Sequence, residues 1–372
     1  MDLNTNPLPE KVFLPLLLVY HLLFIGVFTI YIHQNGGDAM AYWLLEADRS
    51  QQAASWGQHW GTGTFFIQWL NYLPARILGL PFWLGNLLYG LVGLWGIYGL
   101  YRLAKSTFPT PQTAMEKSLF YGLFLLPNLH FWTSGVGKEA LVFSALVGLM
   151  WSYQNLKRRW IYLFPALVLV FLVRPYVGVL AFFSLMAVGL VQAKIPVKYR
   201  LVLGGLGLLM GFLAWLYLKE LLRLEDFSLN AYRTYMDWQM EFLRGFGAAS
   251  EVPMESYPMP YQWITFLYRP FIWEAEDLWP VLAALENSLY LGLTLGLVGF
   301  IRWRGLKRMP AFLQLGLLLF VVLVFFLSQG INVLGIMMRL KNMVMVYFLL
   351  GLVFLFLSSA QSSEVKRGTF RD

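Results

Sequence analysis

Long apolar stretches recur along the whole chain, and they constrain its fold more than any other feature. The first covers residues 12–32. Further stretches of spanning or nearly spanning length cover residues 80–101, 118–133, 139–156, 160–173, 176–193, 199–218, 283–301, 311–329 and 342–358. About 20 apolar residues cross the hydrocarbon core of a bilayer, so the pattern predicts an all-α, polytopic transmembrane helical bundle of about ten spans.

The composition agrees with a chain whose solvent is mostly lipid. Of 372 residues, 58% are hydrophobic and 13% are charged, and the mean hydropathy is +0.59. A soluble domain carries about 25% charged residues. We expect a single integral membrane domain over residues 1–360, with a polar cytoplasmic tail over 361–372. The first stretch lacks a convincing small-residue cleavage site, which favours a retained span over a signal peptide.

The charges indicate how the chain is oriented. The net charge is +8, and 17 of the 28 Lys and Arg lie near the termini or in short connections between alternate stretches. Because basic residues are retained on the cytoplasmic side, this pattern predicts that both termini are cytoplasmic. Two long external loops follow, residues 34–79 and 219–282. The basic character then needs no nucleic-acid partner.

Two amphipathic segments in these loops predict helices that lie in the membrane interface. One is 261–273, and the other is 64–78. The apolar face predicted for segment 64–78 contains Phe65, Phe66, Trp69, Leu70, Leu73 and Ile77. The second apolar stretch carries a stripe of glycines, Gly90, Gly93, Gly96 and Gly99. Small residues let neighbouring transmembrane helices approach closely, so this stripe predicts helix packing.

Several familiar catalytic signals are missing from the sequence. The chain has no cysteine, and its four histidines are never three to five residues apart. The Gly-Val-Gly-Lys sequence at 135–138 lacks the spacing and the following Ser or Thr of a phosphate-binding loop. A Gly-x-Ser-x-Gly motif is also absent. These features argue against cysteine nucleophiles, P-loop ATPases, zincins and α/β-hydrolases.

Asp38 is the acidic residue best placed for chemistry. It follows the first span directly, after Gly36 and Gly37, and Tyr42 and Glu46 continue its helical face at intervals of four. A carboxylate where the membrane meets water can act as a general base or hold a divalent cation such as Mg²⁺ or Mn²⁺. The alternative is an aspartate that caps an interfacial helix, and the sequence leaves both open.

Four cations lie on the side where positive charge is disfavoured: Lys138, Arg174, Arg269 and Arg339. Ionisable groups beside apolar sequence are costly unless they are paired or face a wet cavity, so they are candidates for function. Converging cations suggest a bound phosphate or diphosphate, which guanidinium groups grip bidentately.

A structural alternative for the same cations is neutralisation by nearby acids. Glu139 follows Lys138 directly, and Glu274 and Glu276 lie shortly after Arg269. For any single cation this alternative is at least as good as phosphate binding. It is weaker as an account of the whole group.

The second external loop is rich in aromatic residues, which can stack on sugar rings or form the aromatic belt of a membrane protein. They are Tyr232, Tyr235, Trp238, Tyr257, Tyr261, Trp263, Tyr268, Trp273 and Trp279. Trp238, in the middle of the loop, is the best candidate for a substrate contact.

Three features together resemble a known family. They are Asp38 with Tyr42 after the first span, the interfacial segment before the second, and the Phe-Trp-Thr-Ser-Gly sequence at 131–135 with Lys138 and Glu139. The chain is similar to bacterial polytopic glycosyltransferases of the GT-C superfamily and to O-antigen-polymerase-like proteins. The resemblance implies a catalytic or metal-binding role for Asp38. It also implies lipid-diphosphate binding by Arg174, Arg269 and Arg339.

We therefore expect an enzyme of the bacterial cytoplasmic (inner) membrane, with its long loops outside. It would transfer a sugar from a polyprenyl-phosphate carrier to a glycan or protein acceptor. Asp38 would be catalytic; Tyr42, Glu46, Lys138, Arg174, Trp238, Arg269 and Arg339 would bind substrate. The alternatives are a non-enzymatic scaffold or accessory subunit of an envelope or secretion complex, with protein partners, and a flippase or transporter of lipid-linked sugars.

Overall fold

The computed structural model describes residues 10–46, 55–191, 228–299 and 303–368, together with a few residues between 201 and 216. Within these ranges every regular element is helical, which confirms the all-α prediction. Five of the described helices are long and apolar enough to cross a membrane. This supports a membrane protein; the ten spans, the orientation of the termini and the cellular membrane stay predictions.

Fourteen α-helices are described, and short 3-10 or π-helical turns connect several of them. The first nine are α1 (Glu10–Asn35), α2 (Asp38–Leu44), α3 (Thr64–Asn71), α4 (Phe82–Thr107), α5 (Ala114–Gly122), α6 (Pro127–Trp132), α7 (Lys138–Gln154), α8 (Leu156–Val173) and α9 (Pro175–Val191). The others are α10 (Leu229–Arg244), α11 (Met259–Tyr268), α12 (Leu278–Val298), α13 (Ala311–Gly330) and α14 (Leu334–Gly368). The helices able to cross a membrane are α1, α4, α12, α13 and the part of α14 up to Ala360.

The apolar stretch 118–133 is not one helix. It divides into α5, a 3-10 turn at Leu123–Leu125 and α6, with Leu126 in an extended conformation before Pro127. A residue that precedes proline is driven out of the helical region, which explains the break. The last predicted stretch, 342–358, is shorter than the helix that contains it, because α14 begins at Leu334 and continues to Gly368. Half of the residues of the predicted stretch 199–218 lie outside the described residues.

The chain forms two compact units. The first comprises Met1–Pro175, Gly292–Leu313 and Val346–Asp372, and the second comprises Tyr176–Leu291 and Gln314–Met345. In the first unit α4 packs against α1 and α7, and α7 packs against α8. Its core is apolar and aromatic, with Ile97, Leu100 and Phe143 fully buried.

The glycine stripe of α4 lies at these contacts. A Cβ atom on Gly93 would stand 2.1 Å from the carbonyl oxygen of Thr133. On Gly96 it would stand 2.4 Å from Ser144 Oγ, and on Gly90 it would stand 2.5 Å from the side chain of Ile25. The stripe therefore admits neighbouring backbone at distances that no larger residue allows, as the sequence predicted.

The predicted helix at 64–78 forms, and the face that it packs against the protein is partly polar. It consists of α3 and a π-helical turn at Tyr72–Ile77, and its buried residues include Gln68 and Asn71, whereas Leu73 and Ile77 are exposed. Asn71 donates to the carbonyl oxygen of Tyr42 and accepts from the Tyr89 hydroxyl, at 3.1 and 2.8 Å. These hydrogen bonds offset the cost of burying its polar amide. A pattern of apolar residues does not predict them.

The second unit contains a fully buried lysine. Lys341 Nζ donates to Asn287 Oδ1 at 2.5 Å and to the carbonyl oxygen of Leu267 at 3.0 Å. The latter contact lies in the last turn of α11, the helix predicted within 261–273. Lys341 thus fixes the end of α11, immediately before Arg269.

Candidate functional site

Asp38 is the first residue of α2. The chain leaves α1 through Gly36 and Gly37, whose φ angles of 73° and 129° favour glycine. Gly37 occupies the N-cap, so Asp38 is not the capping residue that the structural alternative proposed. Its exposed carboxylate lies in the first helical turn, where the helix dipole favours negative charge.

Asp38 contacts Tyr42 as the four-residue spacing predicts. The Tyr42 hydroxyl donates to Asp38 Oδ2 at 3.3 Å, and the ring of Tyr42 is buried. Glu46 does not continue this face, because Leu45 adopts a left-handed conformation that ends α2, and Glu46 is exposed beyond it. The helical face expected to carry three site residues therefore carries two.

Lys138 connects this pair to two distant parts of the chain. Its Nζ atom lies 5.5 Å from the centre of the Tyr42 ring, within the range of a cation–π contact. The same atom donates to Thr64 Oγ1 at 3.0 Å. Helix α2 and the starts of α3 and α7 therefore meet around one ammonium group. The role of Thr64 was missed, since an isolated threonine gives no signal in the sequence.

Arg174 pairs with Glu139, the residue that follows Lys138. Only 10% and 4% of the two side chains are exposed. The sequence suggested Glu139 as a partner for Lys138 and did not anticipate its pairing with Arg174. Near the end of α8, the carbonyl oxygen of Leu172 also accepts a hydrogen bond from the N–H of Gly63 at 2.8 Å.

Arg269 lies in the second unit and pairs with Glu274, one of the two acids expected to neutralise it. Its Nε atom donates to Glu274 Oε2 at 3.0 Å, and Nη1 donates to the Tyr257 hydroxyl at 3.3 Å. Burial alone lowers the pKa of Arg269, but these hydrogen bonds outweigh it and leave that pKa raised. Burial raises the pKa of Glu274, yet the bonds from Arg269 and the Phe271 N–H leave it lowered.

Trp238 and Arg339 also belong to the second unit. Trp238 is 57% exposed and stacks on Phe242, with ring centres 5.7 Å apart. Arg339 is half-buried on α14. The structure thus joins Asp38, Tyr42 and Lys138 by direct contacts and places Arg174 beside Glu139. That all the predicted cations meet Asp38 in one pocket stays a prediction.

The described residues offer little for a metal. Among them, no group of three or more His, Asp or Glu side chains could hold an ion. Mg²⁺ is commonly bound through one or two carboxylates, with water and substrate phosphate completing its shell, so the carboxylate of Asp38 is compatible with that ion. This donor set does not by itself define a metal centre.

Comparison with known proteins adds no relative. No protein-family model, no curated protein and no solved structure matches this chain.

Proposed function

We propose that the protein is a membrane glycosyltransferase or polysaccharide polymerase that uses a polyprenyl-phosphate-linked sugar at the outer face of the bacterial cytoplasmic membrane. One observation carries the proposal: a carboxylate, a phenol and an ammonium group, from Asp38, Tyr42 and Lys138, are in contact at the end of the first apolar helix. Such helix ends are where a lipid-linked sugar would present its polar head.

Asp38 is the general base in this proposal. It removes a proton from an acceptor hydroxyl while the oxygen attacks the anomeric carbon, and the bond from that carbon to the phosphate oxygen breaks. The hydrogen bond from Tyr42 orients the carboxylate. General base catalysis contributes about 10²–10⁴ in rate.

The leaving phosphate departs as an anion, so its stabilisation requires cations and no separate acid. Lys138 contacts Tyr42, the hydrogen-bond partner of Asp38, and supplies one such cation. Arg174 already binds Glu139, and Arg269 binds Glu274. A guanidinium group carries five N–H donors, so one carboxylate partner leaves it able to bind phosphate oxygens as well.

The test is transfer by the purified protein in lipid nanodiscs that contain polyprenyl-phosphate-linked sugars, with products identified by mass spectrometry. Asp38→Asn should reduce the transfer rate by about 100-fold or more. Asp237→Asn makes the same chemical change at an exposed position of α10 and should retain the rate. Equal rates in the two variants would rule out the proposed base.

The ion pairs specifically favour a second candidate, a non-enzymatic scaffold or accessory subunit of an envelope complex. In that role the arginines are satisfied by acids of the same chain, as Arg174 and Arg269 are by Glu139 and Glu274. This candidate predicts no transfer with any lipid-linked sugar. It also predicts that Asp38→Asn leaves the assembly of the complex intact.

A further inference from the structure

Two fully buried histidines contact each other inside the first unit. His21 lies on α1 and His130 on α6, and their Nδ1 atoms are 2.9 Å apart. His21 Nε2 lies 2.8 Å from the carbonyl oxygen of Gly90, and His130 Nε2 lies 2.8 Å from the carbonyl oxygen of Phe124. All four ring nitrogens are therefore within hydrogen-bonding distance of a polar partner.

Counting protons in this arrangement gives a definite result. A carbonyl oxygen only accepts hydrogen bonds, so both Nε2 atoms must carry a proton. Two neutral imidazoles have then used both of their N–H protons, and their Nδ1 atoms would face each other as two lone pairs. A bond between the Nδ1 atoms requires a third proton, and the pair then has a charge of +1.

The two alternatives to this third proton are disfavoured by the same geometry. Placing a proton between the Nδ1 atoms of a neutral pair leaves one Nε2 lone pair against a carbonyl oxygen. A metal ion bound tetrahedrally to both nitrogens at about 2 Å would hold them about 3.3 Å apart. Among the described residues, no group of three or more His, Asp or Glu side chains could complete such a site. The observed 2.9 Å is the length of a hydrogen bond.

We propose that His21 and His130 form a proton-binding site that holds one proton more than two neutral imidazoles. The charge is stabilised by the shared N–H–N bond and by the carbonyl oxygens of Gly90 and Phe124, since charge-assisted hydrogen bonds are the stronger kind. Ionisable groups placed within apolar segments are commonly functional. This site is independent of the proposed sugar transfer.

Among the described residues of α1 and α4, the charged groups lie far along the helices from the pair. Tyr20 on α1 is the titratable group described in ring contact with the pair, edge-on to His130 with ring centres 4.7 Å apart. Lys11 and His33 on the same helix are ten and twelve residues from His21. On α4, Arg102 is twelve residues from Gly90. At 1.5 Å per residue, Lys11, His33 and Arg102 lie about 15 Å or more from the pair along their helices.

The experiment is nitrogen NMR on the whole protein, labelled with ¹⁵N-histidine and held in lipid nanodiscs. With four histidines in the chain, the spectrum is simple. We expect three protonated nitrogens in the pair, a coupling between the two Nδ1 atoms across the shared proton, and loss of that proton as the pH is raised. If both Nδ1 atoms are unprotonated and uncoupled at every pH from about 5 to about 9, the proposal is wrong.

Variants assign the signals and sharpen the result. His33→Gln removes an exposed histidine of α1 and should leave the coupled signals unchanged. His59 is recognised by its contact with Tyr72, whose ring centre lies 5.3 Å away. His130→Phe should abolish the coupling and leave His21 as a neutral imidazole. A His21 that stays doubly protonated in that variant would contradict a shared proton.

Discussion

The loop between α6 and α7 in the first unit, residues 133–137, and segment 244–274 of the second unit differ in the number and exposure of their ion pairs. The first leads to a buried arginine–glutamate pair, Arg174 with Glu139, whose side chains are 10% and 4% exposed. In the second, Arg244 is 41% exposed and binds three glutamates, Glu241, Glu251 and Glu255, at 2.6 to 2.8 Å. The more numerous ion pairs are thus the more exposed ones.

The number of ion pairs is therefore a poor guide to how much they stabilise each region. Water and salt screen exposed charges, so surface pairs contribute little. A buried pair that loses one member leaves an uncompensated charge in an apolar environment. We therefore expect the single pair of the first unit to matter more for stability than the three pairs around Arg244.

The substitution Glu139→Gln is the strongest test of this comparison. This change leaves the buried Arg174 without its carboxylate, and we expect it to lower the free energy of unfolding by about 3–5 kcal/mol. Unfolding in mixed micelles with increasing denaturing detergent measures it. Adding Arg174→Met should recover part of the loss, and a double variant as unstable as the single one would contradict an ion-pair origin.

Close packing beside the same loop gives the next largest effect. Gly93→Ala would place a Cβ atom 2.1 Å from the carbonyl oxygen of Thr133. Overpacking of this kind costs about 1–3 kcal/mol, to be measured in the same unfolding assay. Gly292→Ala on α12 is the matched control, since a Cβ there meets nothing within 4 Å. A Gly93→Ala protein as stable as the control would show that the contact yields easily.

The Arg269–Glu274 pair is intermediate in exposure between the Arg174 and Arg244 pairs. Its contribution to stability can be tested by changing the pH. The folded protein holds the pKa of Glu274 below its ordinary value of 4.5, so this pair's contribution is present above that value. It is lost as the pH falls through the lowered pKa. We expect Glu274→Gln to cost about 1–2 kcal/mol at neutral pH and to flatten the acid limb of the stability curve. An unchanged acid limb would exclude the pair as its cause.

The smallest effect should come from Arg244→Gln, although it removes three ion pairs at once. All of these contacts are exposed, so the melting temperature should change less than for Glu274→Gln, and high salt should abolish the difference. Hydrogen bonds to Glu251 and Glu241 raise the pKa of Arg244, so the wild-type guanidinium stays charged throughout. A large loss that persists in high salt would overturn the comparison.

The sequence predicted helices well and partners poorly. Apolar length and glycine spacing identified α1, α4 and the contacts of Gly93, because those features depend on local composition. The spacing of Asp38 and Tyr42 also predicted that they share a helical face, and the structure shows a hydrogen bond between them. In each case the information lies within a few turns of one helix.

Contacts between distant segments were harder to anticipate. Glu139 lies next to Lys138 in the chain, and only the packing of α7 against α8 brings it to Arg174. Thr64 and His130 gave no signal of their own, because one threonine or histidine has many roles. Glu46 does not lie on its predicted helical face, because the left-handed residue Leu45 ends α2 before it.

The break before Pro127 has a consequence for the whole first unit. Proline has no N–H to donate, and the extended Leu126 ends the preceding turn, so the backbone loses its regular bonding inside an apolar region. One carbonyl of that turn, on Phe124, is the group that meets His130. The break in the helix thus makes a carbonyl oxygen available to a polar ring within an apolar region.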